Sequence, residues 1–342
     1  MNNAGQGAHV PNVTMRDVAK AAGVSVATVS HVINDKPGAR IGEDARRRVH
    51  EAVAELQYRP NALAKTLSQG TSRFIGLVAD QIATTPFAGQ IIHGAQDEAW
   101  KHGFVLLVAN TDGNTQVESD AIAMMLEHQV RGILYSTWYH REITVPAGLD
   151  QADSVLVNCF APGSGLPAIV PDEVQGGRAA TDELINAGHR RIAFVNTTTP
   201  SPAQTGRLDG YREALAAAGI GVDDALVFQA SPEQEGGYRA TPQIIGSGAT
   251  AVFCHNDRVA MGVYDGLREH DMRIPKDVAV IGFDNQDVIA AHLRPTLSTV
   301  ALPHYELGAI GVRTLLGLNR PTDDTPTRIA CPPIRRRSVQ EL

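Results

Sequence analysis

Residues 25–34 read Ser-Val-Ala-Thr-Val-Ser-His-Val-Ile-Asn, β-branched at some positions and short or polar at others. Wound as a helix from Val26 to Ile33 with Ser25 as N-cap, the segment turns Val29, Val32 and Ile33 inward. Val26, Ala27, Ser30 and His31 then face outward. Short outward side chains let a helix approach the floor of a DNA major groove. There Val26 or Ala27 can touch a thymine methyl, and Ser30 and His31 can hydrogen-bond to bases or phosphates. The same residues also suit a capped, solvated helix that meets no partner.

The elements around this segment favour the first use. Thr14 is a good N-cap with Asp17 three positions on, and Val18, Ala19 and Ala22 give the helix that follows an apolar stripe. Gly23 permits a sharp turn into the second helix, and Asn34 to Gly38 break it again. A third helix is expected from about Glu43 to Leu56, with Ala45, Val49, Ala52, Val53 and Leu56 on its apolar face. Two short helices joined at a glycine and braced by a third describe a helix-turn-helix unit. Residues 1–70 carry nine Lys/Arg against six Asp/Glu, while the remainder carries 21 against 31. A basic head on an acidic body suggests that only the head meets a polyanion. Residues 1–12 read as a disordered polar tail.

From Phe74 the pattern becomes alternating strands and helices. Strands are expected at Phe74–Ala79, Val105–Val108, Gly132–Tyr135, Ser154–Val157, Arg191–Val195, Thr250–Phe253 and Val278–Phe283. Helices are expected near 89–102, 117–128, 175–187, 204–218 and 259–270. Such alternation argues doubly wound parallel sheets, and about 270 residues of it argues two α/β lobes with a cleft between them. Enzyme signatures are missing: no phosphate loop, no H-E-x-x-H, no G-x-S-x-G and no strand–GxGxxG–helix unit. His189 and His255 read as structural or hydrogen-bonding residues, and no cofactor or metal is expected. Cys159, Cys254 and Cys331 are too widely spaced for a zinc site or a disulfide framework. No apolar run approaches the ~18 residues of a membrane span, and the N-terminus lacks the pattern of a secretory signal. A cytoplasmic protein with no membrane partner is expected.

The wording of the head is similar to that of one family. Val13-Thr14-Met15-Arg16-Asp17-Val18-Ala19, Ala22-Gly23-Val24-Ser25-Val26-Ala27-Thr28-Val29-Ser30-His31-Val32-Ile33-Asn34 and Tyr58-Arg59-Pro60-Asn61-Ala62-Leu63-Ala64-Lys65-Thr66-Leu67 resemble the head and hinge of lactose-repressor (LacI/GalR) family regulators. His31 stands where many members carry Arg, and Gly42 where Ser or Asp usually caps the third helix. The resemblance implies double-stranded operator DNA as partner. Contacts would come from Thr14, Ser25, Val26, Ala27, Thr28, Ser30, His31 and Asn34 in the head, and from Arg59, Asn61, Ala64 and Leu67 in the hinge. Pro60 favours a helix start, yet 61–68 is too short to be stable alone. By resemblance Leu67 would wedge into the minor groove and kink the duplex; Leu63 and Leu67 packing on the body is the alternative.

The body resembles the family's effector-binding core, itself similar to periplasmic sugar-binding proteins. The phrases that carry this are 187–194 (Ala-Gly-His-Arg-Arg-Ile-Ala-Phe), 207–211 (Arg-Leu-Asp-Gly-Tyr), 253–257 (Phe-Cys-His-Asn-Asp) and 281–285 (Ile-Gly-Phe-Asp-Asn). The implied fold is an α helix-turn-helix head (13–58), a hinge and linker (59–72) and an α/β two-lobed periplasmic-binding-protein-like core (73–342). One lobe would hold about 73–170 and 300–325, the other about 171–299 and 326–342. At the family's ligand positions stand Asn158, Arg207, Asn256 and Asp284. A guanidinium fork, a carboxylate and two amides suit the hydroxyls of a mono- or disaccharide. Thr84, Thr85 and Phe87 would line the near side, and Trp138 would supply a stacking face. Asp257 is expected to cap the following helix. Pro232 stands where many sugar-binding members place an aromatic residue, so Trp138 or Phe160 would have to replace it. A homodimer is expected, since one head reads few base pairs and the closing segment 332–342 resembles the family's last strand. The expected function is a carbohydrate-responsive repressor. The alternatives are a regulator whose purine or other non-sugar co-effector strengthens DNA binding, and an α/β enzyme fused to a DNA-binding head.

Overall fold

The computed structural model describes residues 13–34, 38, 40–58, 72–82, 88–319 and 325–341. The chain divides into two compact units, 1–71 and 72–342.

The first unit contains α1 (Met15–Ala22), α2 (Val26–Ile33) and α3 (Glu43–Glu55). The Asp17 carboxylate accepts from the Thr14 backbone N–H at 2.8 Å and from its hydroxyl at 2.7 Å, closing the first turn of α1. Gly23 ends α1 at φ 65°, a left-handed conformation that glycine adopts without a Cβ penalty. Ser25 caps α2 by accepting from the Thr28 N–H at 3.1 Å. Val18, Ala19, Ala22, Val29, Val32, Val49, Ala52 and Tyr58 form the buried core of this unit. Gly42 caps α3 without a side chain, and Asp44 and Glu51 both pair with Arg47 along the exposed face.

The second unit holds two six-stranded sheets. Sheet one is built from β1 (Phe74–Ala79), β2 (Val105–Asn110), β3 (Ile133–Glu142), β4 (Ser154–Phe160), β5 (Ala168–Pro171) and β11 (Thr327–Ile329), in the order β11-β5-β4-β3-β1-β2. Sheet two is built from β6 (Ile192–Thr197), β7 (Val227–Ala230), β8 (Ala251–Cys254), β9 (Ala279–Asp284), β10 (Ser298–Ala301) and β12 (Pro333–Ile334), in the order β12-β10-β9-β8-β6-β7. Among the described residues all pairings are parallel except β10 with β12. The helices are α4 (Gly89–Lys101), α5 (Thr115–Glu127), α6 (Glu173–Asn186), α7 (Pro202–Ala217), α8 (Gln234–Gly246), α9 (Asp257–Glu269), α10 (Asp287–Ala290) and α11 (His304–Leu315). Helices cover both faces of each sheet, so strands such as Ala251-Val252-Phe253-Cys254 are apolar and buried throughout.

The chain passes between the sheets after β5, after β10 and after β11. Residues 326–342 were expected to lie together in the second lobe. Instead Thr327–Ile329 pair with Ile169–Pro171 in sheet one, so the last passage falls after Ile329. The parallel ladder with β5 holds this segment in place. β3 also runs further than expected: its register with β4 shifts between Ser136 and Arg141, and the extension carries Trp138, Tyr139 and His140 beyond the end of the ladder with β1.

Close approach of α6 and α7 is decided by two glycines. A Cβ on Gly177 would sit 2.4 Å from the Arg207 carbonyl oxygen, and one on Gly210 would sit 2.1 Å from that of Val174. Backbone cannot yield as a flexible side chain can. Gly210→Ala is expected to lower stability by about 1–3 kcal/mol through overpacking, read as a lower urea midpoint at unchanged slope.

Candidate functional site

The strand ends of both sheets converge on a cavity of about 360 Å³ between the lobes. It lies where ligands bind in open α/β sheets, outside the carboxyl ends of the strands. Trp138 and His140 reach it from β3 and Asn158 from β4; Arg207 comes from α7, Asn256 from the start of α9, and Asp284 from the end of β9. Glu173, Pro232, Glu233, His255, Arg258 and His304 complete much of the wall.

Arg207 is 3% exposed and fixed from three sides. Its Nε donates to Glu173 Oε2 at 2.9 Å, and its Nη1 donates to the His255 carbonyl at 2.5 Å. Its guanidinium lies 3.7 Å from the centre of the Phe283 ring. Asp284 Oδ1 stands 3.7 Å from Nη1, an ion pair too long for a direct hydrogen bond. Burial works against ionisation of Glu173, but the Arg207 guanidinium and His140 outweigh it and hold the carboxyl down at about 2. Burial pushes the Asp284 carboxyl up, with Arg207 opposing. Burial, assisted by the Arg207 charge, pushes the His255 imidazole well down, so it is neutral near pH 7. His255 Nδ1 and Arg258 Nε are buried without a hydrogen-bond partner among the described residues, and both residues line the cavity.

Three of the seven non-glycine residues with positive φ among the described residues lie at or beside the cleft. Asn158 has φ 60°, Asp284 φ 103° and Asn285 φ 54°. Such conformations persist where surrounding contacts over-determine them, and they cluster at ligand sites. Asn158 is held by Nδ2 donating to the Thr137 carbonyl at 2.9 Å, and Gln286 Nε2 donates to Asp284 Oδ2 at 2.9 Å.

Trp138, Asn158, Arg207, Asn256 and Asp284, singled out from sequence, therefore line one cavity. Thr84, Thr85 and Phe87 lie outside the described residues. Asn256 carries the capping role expected of Asp257: its Oδ1 accepts from the Val259 N–H at 2.8 Å and its Nδ2 donates to the Pro232 carbonyl at 2.9 Å. Asp257 sits inside the first turn, fully buried, accepting from the Gln286 N–H at 2.7 Å and the Thr299 hydroxyl at 2.6 Å. A cap needs extended backbone before the first turn, and Asn256 has it at φ −147°. Of the two candidate aromatics, Trp138 lines the cleft. Phe160 instead packs edge-on to His140 at 5.7 Å and faces a separate cavity behind it. Glu173, His140 and Arg258 were not anticipated. Asp172, which caps α6 by accepting from the Gln175 N–H at 3.0 Å, was the available signal for Glu173.

In the head, Ser25, Val26 and Ala27 are exposed at the start of α2, while Thr28, Ser30, His31 and Asn34 are half-buried. Asn34 Nδ2 donates to the Ser30 carbonyl at 3.0 Å and closes the end of the helix. Arg59, Asn61, Ala64 and Leu67 lie outside the described residues.

Residues 14–61 match the family described as bacterial regulatory proteins, lacI family, and 181–339 match the periplasmic binding protein-like domain. Over 331 residues the chain is 34% identical to the HTH-type transcriptional regulator GalR of Escherichia coli (strain K12), covering 95% of each. The chain belongs to the LacI family. It is 36% identical over 312 residues to the HTH-type transcriptional repressor PurR of Vibrio atlanticus (strain LGP32), covering 89% of this chain and 91% of that one. Its fold matches that of the lac repressor dimer bound to operator and the anti-inducer ONPF. The TM-score is 0.80 at 24% identity, over 96% of this chain and 99% of that one. As a LacI-family member the protein is a DNA-binding transcriptional regulator. Among the described residues no helix is long and apolar enough to cross a membrane.

Proposed function

We propose that this LacI-family regulator is a cytoplasmic repressor of carbohydrate-utilisation genes, and that a small neutral sugar releases it from a pseudo-palindromic operator. The observation that carries the reading is the convergence of the Arg207 fork, the Asp284 carboxylate and Asn158 beside the Trp138 face. A carboxylate and a guanidinium suit vicinal hydroxyls, and the indole suits the C–H face of a pyranose. The charges favour a neutral ligand. Arg207 is already paired with Glu173, and Arg258 with Glu233 at 3.3 Å, while Asp284 adds a further carboxylate. The lining carries three carboxylates (Glu173, Glu233 and Asp284) against two guanidiniums (Arg207 and Arg258), which disfavours a phosphate.

On the DNA side, Ser25, Val26, Ala27, Thr28, Ser30 and His31 would read the major groove, Thr14 and Asn34 would contact the backbone, and Arg59, Asn61, Ala64 and Leu67 would engage the minor groove. The head would comprise 13–58 and the hinge 59–72. Thr84, Thr85 and Phe87 would line the near side of the effector site. A ligand shifts DNA affinity only through its differential affinity for the two lobe arrangements.

Calorimetry with neutral sugars, sugar phosphates and nucleobases, with and without operator DNA, tests the reading. Binding of a neutral mono- or disaccharide that weakens operator affinity is the expected result. A purine that strengthens it would replace this reading, and turnover of any ligand would overturn it. Two heads on a two-fold operator require a two-fold core. Light scattering is expected to give about twice the 36.5 kDa chain mass.

A further inference from the structure

Glu173 begins α6 directly after the first passage between the lobes, and its two carboxylate oxygens are used in opposite directions. Oε2 accepts from Arg207 Nε at 2.9 Å, within the second lobe. Oε1 meets His140 Nδ1 at 3.3 Å, and His140 belongs to β3 of the first lobe. All three side chains are buried, at 4% exposure for Glu173, 4% for Arg207 and 8% for His140. His140 and Glu173 also form the wall between the cleft and a second cavity of about 520 Å³ behind it. The pair therefore closes the rear of the cleft.

We propose that Glu173 and His140 are positioning residues that form an interlobe latch: Glu173 sets the Arg207 fork, and its contact with His140 ties that fork to β3 and restrains the two lobes against each other. Two physical arguments support this. A carboxylate removed from water is stabilised by donors on each oxygen, and Glu173 Oε1 takes from His140 what solvent cannot supply. The partner on the far lobe is a single side chain, so a relative movement of the lobes acts on this contact while leaving Arg207–Glu173, within one lobe, intact. Whatever pulls on Arg207 then pulls, through one carboxylate, on the first lobe. That last step rests on the cleft being the effector site; the latch itself does not.

The test needs neither effector nor operator. The chain has two tryptophans, Trp138 in the cleft and Trp100 on the surface at 60% exposure. In a Trp100→Phe background, Trp138 alone reports on the cleft. His140→Leu removes the ring nitrogen at similar bulk, whereas His140→Gln restores a donor toward Glu173. Acrylamide quenching of Trp138 is expected to rise at least about twofold in the Leu variant and to stay at the parent value in the Gln variant. Unchanged quenching in the Leu variant, or an equal rise in both, overturns the latch. Failure of any sugar to bind would instead remove the effector reading and leave this result standing.

Discussion

Arg207→Leu is expected to destabilise the core by about 3–5 kcal/mol at neutral pH, because it leaves a buried carboxylate without its cation. Glu173 is buried; burial opposes its ionisation, but Arg207 and His140 hold it down at about 2. A carboxyl with a depressed folded-state value contributes stability that is complete above its unfolded value of about 4.3. That contribution is lost as pH falls towards about 2. In the variant the guanidinium is gone and burial dominates, so the folded-state value moves above the unfolded one and the sign reverses. The variant is then penalised at neutral pH and relieved as Glu173 takes up a proton. Urea unfolding of both proteins from about pH 8 to about pH 4 should show their stabilities drawing together toward the acid end. A gap independent of pH would assign the loss to packing over Phe283 instead.

Asp284→Asn is expected to cost about 10- to 100-fold in effector affinity, from the loss of one charge-assisted hydrogen bond worth about 1.5–3 kcal/mol. Asparagine is the informative replacement. Residue 284 has φ 103°, which strains most side chains, and the amide keeps the shape of the carboxylate. Operator affinity without effector should stay within about twofold, since Asp284 belongs to the core and the helix-turn-helix to the other compact unit. Calorimetry with the sugar that binds the parent chain, beside an operator titration, separates the two effects. An equal loss of both would make Asp284 a structural partner of Arg207.

The sequence by itself determined what rests on local chemistry. The helix-turn-helix was legible to the residue at α2 because Ser25 caps, Gly23 takes a left-handed turn, and Val29 and Val32 recur at helical spacing. The apolar runs of β1 and β9 likewise announced strands buried on both faces. Short strands such as β5 and β11 were not legible. With three to four residues each they carry no periodicity, and only their ladders define them, whereas β12 was legible only by resemblance. Resemblance supplied Asn158, Arg207, Asn256, Asp284 and Trp138 as separate positions, but not their number of free hydrogen-bonding groups. Tertiary structure decided that Asn256 is occupied as a cap, and that Asp257 is buried against Gln286 and Thr299. It also decided that Glu173, 34 positions before Arg207, is that residue's buried counter-ion. Pairings across such separations depend on how α6 and α7 meet at Gly177 and Gly210, and on where β3 ends. Neither is encoded in any local run of the chain: the first is settled by which backbones can approach without a Cβ between them, the second by the pairing of β3 with β4.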